Sequence, residues 1–369
     1  MDIGLEVVDT FVADKFYAWL LPLNNAVAGI NGTAPAAVST WEYHPATHML
    51  YLEPSEYAYQ SAWPRDYAVR QGITLFFITC NKRHNKTTLE REMNGKRRRK
   101  KLTRHSRFFG LLNYFLLATL SYHLVFDKAT LKHPKYLKDQ MWLEIHQAVT
   151  AMPGMAIPTA LLFLTEVRGY TRLYDSSEEG PGIWYDRIQP VLFIFFTDFC
   201  IYWIHRGLHH PLIYKRLHKP HHKWIMPTPY ASYAFHPLDG FAQSVPYHVY
   251  PVFFPMHKLV FVGAFIFVNF WTIIIHDGEY ITDNPIINGS ACHSAHHLYF
   301  NYNYGQFLTL WDRLGGSYRK PNPEWFDKAT KMSQETWQSG VKEMEKIQKT
   351  VEGNDDRTYS VGVAAKKNN

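Results

Sequence analysis

Four apolar blocks separated by polar stretches frame this chain. Residues 108–126, 145–164, 188–204 and 259–275 are each about as long as a segment that crosses a hydrocarbon core. A shorter block, 245–256, directly precedes the last, and the apolar stretch at 73–80 is too short to span alone. The expected fold class is therefore all-α, a polytopic membrane helical bundle of about four spans. Any one block would equally suit a buried helix of a soluble protein, and Pro153, Pro158 and Asp198 interrupt them. Four together exclude that alternative. Asp198 is costly in lipid, so it is expected to face a protein interior or cavity.

The polar segments divide the remainder. Residues 1–107 mix Pro, Gly, Asn and Thr without a repeat and form a variable N-terminal region. Residues 108–320 carry the spans and form the membrane-embedded working domain, with its chemistry concentrated in 188–318. From 321 to 369 the chain is a polar C-terminal tail, expected to be aqueous and peripheral. Within it residues 333–351 pattern as an amphipathic charged helix with Ser333 as N-cap.

Histidine distribution changes this picture. Of 20 histidines, 13 lie between His205 and His297. Eight fall into three clusters: His205-x-x-x-His209, His218-x-x-His221-His222 and His293-x-x-His296-His297. Residues three and four apart on a helix project from one face, so each cluster aims two or three imidazoles at one point. Three converging clusters supply enough nitrogens for two neighbouring metal ions. Imidazole suits iron, zinc, copper or nickel and does not suit calcium or magnesium. Only three cysteines occur, none in a C-x-x-C pair, which argues against an iron–sulfur cluster, a cysteine zinc site or a disulfide framework. His210, His248 and His257 match no cluster spacing.

Local sequence also positions these ligands. Pro220 is disfavoured inside a helix, so His221 and His222 are expected to start one, with Pro220 in its first turn and His218 supplied from the preceding segment. His205 falls at the end of the third block, and Asp198 lies two turns before it on the same face. That carboxylate is a candidate for orienting an imidazole, the alternative being a plain helix–helix hydrogen bond.

Charge adds less. The formal net charge of +7 comes largely from a basic run at 82–107. It could imitate a nucleic-acid patch, but directly before an apolar block it reads as a membrane-proximal segment, and no nucleic-acid partner is expected. With cytosolic histidines and four spans, this run falls on the lumenal side, against the positive-inside tendency. Either residues 73–80 and their flanks cross, or an early block is re-entrant, or the rule is broken here. Asn31-Gly-Thr33 and Asn85-Lys-Thr87 are glycosylation acceptors by pattern and would report which. The opening MDIGLEVVDTF has neither a basic n-region nor an apolar core, so the spans themselves are expected to target the chain. Lys366-Lys-Asn-Asn369 resembles the dilysine retrieval signal read from the cytosol. The expected location is the endoplasmic-reticulum membrane, multi-pass, with a cytosolic C-terminus.

The three clusters resemble those of the membrane-bound fatty acid hydroxylase and sterol desaturase superfamily. The flanking residues narrow this. His218-Lys-Pro-His-His-Lys-Trp224, Phe235-His-Pro-Leu-Asp-Gly240, Asn269-Phe-Trp-Thr272 with His276-Asp-Gly278, the run from His293 to Gln306, and Trp311-Asp-Arg-Leu-Gly-Gly-Ser317 resemble the fungal sterol C5-desaturases of lathosterol oxidase type. Similarity covers most of 108–320, the opening MDIGLEVVDT and the KKNN ending. The resemblance implies two iron ions and molecular oxygen, used to form the C5–C6 double bond of an episterol-like Δ7-sterol in ergosterol biosynthesis. Membrane lipid would surround the site. Electrons would come from NAD(P)H through cytochrome b5 and its reductase. No His-Pro-Gly-Gly haem-binding pattern occurs, so the donor is expected to be a separate protein.

Carried over by position, the implied ligands are His205, His209, His218, His221, His222, His293, His296 and His297, with His276 as a ninth and His236 as a candidate tenth. For His236 the alternative is a turn residue before Pro237 bonded to Asp239. Relatives with a second ligand four residues beyond the His276 position find Tyr280 here, which sets this coordination shell apart from theirs. Residue spacing alone reaches a membrane non-haem metal oxidoreductase and leaves a sterol 4-methyl oxidase or lipid hydroxylase open, because desaturation and hydroxylation both begin with hydrogen abstraction. A metal transporter would place ligands at mid-membrane in internally repeated halves. Here the clusters follow the spans and no repeat is visible.

Overall fold

The computed structural model describes residues 2–23, 43, 49–79, 109–327, 330–331 and 333–360. The basic run at 82–107, both glycosylation patterns and the ending at 366–369 lie outside the described residues. Within them the chain is mostly helical, as the apolar blocks predict, and the only sheet is a two-residue parallel pairing of β1 (Leu173–Tyr174) with β2 (Met256–His257).

One compact unit comprises residues 1–111, 156–183 and 251–259. In it α1 (Asp2–Val8), a π-helical turn at Asp9–Ala13 and α2 (Asp14–Leu20) run continuously. Their acidic residues point inward. Arg65 grips Asp14 through Nε–Oδ1 at 3.1 Å and Nη2–Oδ2 at 2.6 Å, and Arg70 reaches Asp9 at 3.2 Å. Buried charges of this kind are tolerated because each is paired and hydrogen-bonded. The stretch at 73–80 lies largely within α3 (Ala68–Thr79), about 18 Å long and too short to cross a bilayer.

The second unit comprises residues 112–155, 184–250 and 260–369 and contains all three histidine clusters. Its long helices are apolar outside and polar inside. On α4 (Phe109–Leu124), Leu112, Leu116, Leu120 and Leu124 are exposed at four-residue spacing, while Tyr114, Ala118 and Ser121 are buried. Helix α5 (Gln140–Val167) continues through Pro153 and Pro158 and buries Gln140 and Glu144. Helix α6 (Ile183–Leu208) exposes Trp184, Ile188, Val191, Phe195, Phe199 and Trp203, and buries Gln189, Thr197, Asp198 and His205. A water-soluble helix has the opposite arrangement. Among the described residues, α5 and α6 are long and apolar enough to cross a membrane.

Short elements follow α6: α7 (Pro211–Leu217), then the four-residue α8 (Lys219–His222) with Pro220 in its first turn and His218 between the two, as Pro220 requires. The short apolar block at 245–256 lies mostly within α9 (Pro237–Phe253), and the fourth long block forms α10 (Lys258–Ile274). After them come α11 (Ser290–Tyr299), α12 (Leu310–Leu314) and α13 (Gln334–Val351). Ser333 caps α13, its side chain accepting from Thr336 N. The tail is not peripheral. Met344 of α13 is fully buried against Ile225, Met226, Ala295, Leu298 and Tyr299, because the apolar face of this amphipathic helix covers the segments leading out of the second and third clusters.

Candidate metal centre

Helical spacing sorts the histidines into two groups. The first holds His205, His209, His218, His222 and His296, and the second His221, His276, His293 and His297. All nine are buried, and within each group the candidate ligand atoms lie within 4.8 Å of one another. The partition follows one rule: i,i+4 pairs share a group, and the residue at i+3 goes to the other. His218 and His222 join the first group while His221 joins the second, whereas His293 and His297 join the second while His296 joins the first. Adjacent residues on a helix point about 100° apart, so each doubled histidine faces two centres.

Oxygen partners fix the imidazole tautomers. His205 Nδ1 lies 2.9 Å from Tyr304 O, His276 Nδ1 2.7 Å from Thr272 O, and His296 Nδ1 2.6 Å from Tyr302 O. A carbonyl only accepts, so these Nδ1 atoms carry the proton and their Nε2 atoms present bare lone pairs. His218 Nδ1 meets Asp239 Oδ2 at 2.8 Å, the carboxylate–imidazole pairing that orients metal-binding histidines. Asp239 is buried and also accepts from Gln243 Nε2 at 2.7 Å.

The Nε2 atoms then face one another. His205 Nε2 and His218 Nε2 are 3.0 Å apart, His222 Nε2 and His296 Nε2 3.0 Å, His276 Nε2 and His293 Nε2 2.9 Å, and His293 Nε2 and His297 Nε2 3.1 Å. For His205 and His218 both protons are committed to Nδ1, so two lone pairs meet with no hydrogen between them. That contact is repulsive unless a cation lies against both. Two nitrogens bound to one transition-metal ion at ~2.1 Å and at right angles sit about 3.0 Å apart. His209 points the same way: it is buried and neither ring nitrogen has a hydrogen-bond partner, a state that costs roughly 1–3 kcal/mol without a ligand. The residues therefore fit metal ions.

Electrostatics keep the ligands neutral. Burial, reinforced by neighbouring imidazoles, holds His209, His221, His222, His293, His296 and His297 well below the ordinary imidazole range. Burial likewise takes His276 down to about 4, against the Thr272 carbonyl, which favours the proton. Aromatic rings hold two histidines whose Nδ1 atoms have no hydrogen-bond partner. Phe235 stacks on His221 at 4.2 Å and 20°, and Phe300 on His222 at 5.2 Å and 26°. Phe300 does so from a left-handed backbone, φ 61°, which a non-glycine residue adopts at a cost of about 1–3 kcal/mol.

The carbonyls that orient His205 and His296 belong to one loop, residues 302–308, held by two buried carboxylates. Asp312 accepts from Tyr304 N and Gly305 N at 2.8 Å each. Asp198 accepts from Gln306 N at 2.8 Å, Phe307 N at 2.7 Å and Leu308 N at 3.2 Å. Gly305 is required here, since a Cβ would lie 2.5 Å from Leu308 O. Asp198 thus bonds no imidazole, contrary to the expectation from its helix face. It is buried beside the loop and satisfies three backbone N–H groups instead, acting on His205 only through the loop.

His236 lies outside both groups. It sits at the start of α9, where its Nδ1 accepts from Leu238 N at 3.2 Å and its carbonyl accepts from Asp239 N. Tyr280 is also outside, packed on Trp325 and Phe326 beneath the Lys331 ammonium. Asp239, Asp312, Phe235 and Phe300 are the residues that sequence reasoning missed.

Comparison with known proteins gives one family model and several full-length relatives. The family model described as fatty acid hydroxylase matches residues 190–317. A probable Delta(7)-sterol 5(6)-desaturase of Neurospora crassa is 57% identical over 363 residues, covering 97% of each chain. The Delta(7)-sterol 5(6)-desaturases of Leptosphaeria maculans and Saccharomyces cerevisiae are 52% and 42% identical, covering 100% of this chain and 99% and 100% of their own. No solved structure matches.

Proposed function

We propose, from the premise that this chain belongs to the Delta(7)-sterol 5(6)-desaturase family, that its two histidine groups hold two iron ions and that the site forms the C5–C6 double bond of a Δ7-sterol in ergosterol biosynthesis. The chain is an oxidoreductase whose substrates are a sterol and O2. One observation carries the metal assignment: His205 and His218 bring two bare Nε2 atoms to 3.0 Å, a contact that only a shared cation makes favourable. The ligands are His205, His209, His218, His222 and His296 for one iron, and His221, His276, His293 and His297 for the other.

Iron pairs supply oxygen activation and the one-electron chemistry that takes hydrogen from an unactivated C–H bond. The sterol loses two hydrogens and two electrons, a separate donor supplies two more electrons and two protons are taken up, so O2 leaves as two waters. We assign the donor as cytochrome b5, reduced from NAD(P)H by its reductase. Residues of the chain provide the setting. Nine neutral imidazoles add no negative charge to the site. Asp239, Tyr304 O, Tyr302 O and Thr272 O hold four of them in the tautomer that leaves Nε2 bare. Phe235 and Phe300 fix two more and keep water from their faces.

The exposed apolar stripes of α4, α5, α6 and α10 support four membrane spans in the endoplasmic-reticulum membrane, where an apolar sterol is dissolved. Trp184 and Trp203, both exposed, are 19 residues apart on α6, about 28 Å, the separation of two interfacial aromatic belts. His205 lies just beyond Trp203, which supports a position of the metal groups at one membrane face, taken as cytosolic.

Purified protein reconstituted with cytochrome b5, its reductase, NADH and a Δ7-sterol tests this reading. The expected product carries the new C5–C6 bond. A hydroxylated sterol, or turnover restricted to 4-methyl sterols, would overturn it.

A further inference from the structure

The C-terminal tail reaches the metal groups from behind, through a single arginine. The Arg357 side chain is buried and its guanidinium has two jobs. Its Nη2 donates to His222 O at 3.0 Å and its Nε to Lys223 O at 3.2 Å. Nη1 also bonds Glu352 Oε2 at 2.6 Å and Asp355 Oδ1 at 3.3 Å, and Nη2 bonds Glu352 Oε1 at 3.1 Å. Glu352 Oε1 in turn accepts from the Tyr214 hydroxyl at 2.8 Å. The Tyr214 ring is buried between two candidate ligands, 5.3 Å from His209 and 5.8 Å from His222.

Helix α8 needs such a support. Four residues including Pro220 make too few internal hydrogen bonds to persist, since helix nucleation is unfavourable and short helices depend on tertiary contacts. The carbonyls at its C-terminal end lack helical partners, and a cation placed there both bonds them and opposes the end charge of the helix. A planar guanidinium meets two carbonyls and a carboxylate together, which an ammonium does not. The tail is anchored independently, with Lys138 N bonded to Thr358 O at 3.1 Å and Ser360 N to Tyr136 O at 2.9 Å.

We infer that Arg357, held by Glu352 and Tyr214, is a positioning residue for both metal centres: it fixes the turn that sends His222 to one group and His221 to the other. This rests on the reading of the histidine groups as an iron site. Loss of the clamp lets the turn rotate, and both irons lose a ligand contact while the other seven histidines stay in place.

The test uses full-length protein purified in detergent, loaded with ferrous iron and exposed to a colorimetric iron chelator. Wild type, Arg357→Met, Arg357→Lys, Glu352→Gln and Thr350→Ala are compared for iron per chain and release rate, with circular dichroism as the check on folding. Wild type that takes up no iron would refute the iron-site reading itself. With wild type holding two irons, Arg357→Met should release iron at least tenfold faster at unchanged helix content, Arg357→Lys should restore part of the retention, and Glu352→Gln should fall between. Thr350→Ala, which removes only an exposed hydrogen bond to Lys346 O within α13, should match wild type. Wild-type release from folded Arg357→Met would overturn the inference, as would equally fast release from Thr350→Ala. If Arg357→Met does not fold, Glu352→Gln decides: faster release supports the clamp, and wild-type release overturns it.

Discussion

His205 and His218 face each other through Nε2 atoms 3.0 Å apart, and the Nδ1 of each is committed to an oxygen, Tyr304 O for one and Asp239 Oδ2 for the other. Neither nitrogen has a proton to offer the other in the neutral state, so the geometry is that of two ligands without their ion. Several measurable consequences depend on how that geometry is maintained.

Asp239 is the only carboxylate hydrogen-bonded to a clustered imidazole among the described contacts. Asp239→Asn leaves the shape in place but removes the charge that holds His218 Nδ1. Iron affinity should weaken about 10–100-fold, read by competition with a graded series of chelators. Wild-type affinity in the variant would show that His218 does not depend on this pairing.

Asp312 and Asp198 divide five consecutive N–H groups between them. Asp312→Asn should cost roughly 1–3 kcal/mol of stability and free Tyr304 O from its place behind His205. The expected result is a lower melting temperature together with selective loss of one iron of two. Loss of stability with both irons retained would confine Asp312 to a structural role.

His276 and His236 make opposite predictions. His276→Ala should lower iron content and abolish desaturation, since its Nε2 is turned to His293. His236→Ala removes only a turn contact at the head of α9 and should leave two irons per chain. Iron loss in both would place His236 in the shell.

Acid should destabilise the metal-free protein before it affects most carboxylates. His276 falls to about 4 in the fold from an unfolded value near 6.5, so the unfolded chain binds more protons between those values. Stability is therefore complete above about pH 6.5 and declines as pH falls toward 4. The melting temperature of chelator-stripped protein should drop across that window, and a flat profile there would contradict a buried neutral His276.

Much of this was legible in sequence because it is periodic. The apolar blocks gave the helices, Pro220 gave the break between His218 and the His221–His222 turn, and Ser333 gave the cap of α13. Helical spacing showed that the clusters converge, but the expectation that each cluster aims at one point is corrected: His221 and His222, about 100° apart, divide between the two groups, as do His296 and His297. What stayed hidden depends on contacts remote in sequence. Asp239 is one acidic residue in the first turn of a helix, where helix-end charge alone accounts for it. Asp198 was correctly placed inside the protein, yet nothing in its spacing showed that a loop over 100 residues away would take all its hydrogen bonds. The tail read as peripheral because charged residues dominate α13, while the few apolar positions that bury Met344, and the arginine beyond them, reveal their role only once folded.

Iron per chain in the purified, ferrous-loaded wild-type protein tests the central claim most directly. Two groups of five and four buried imidazoles predict two iron atoms per polypeptide, neither lost on gel filtration. One iron atom or none, in protein that is folded and loaded under anaerobic conditions, would contradict it.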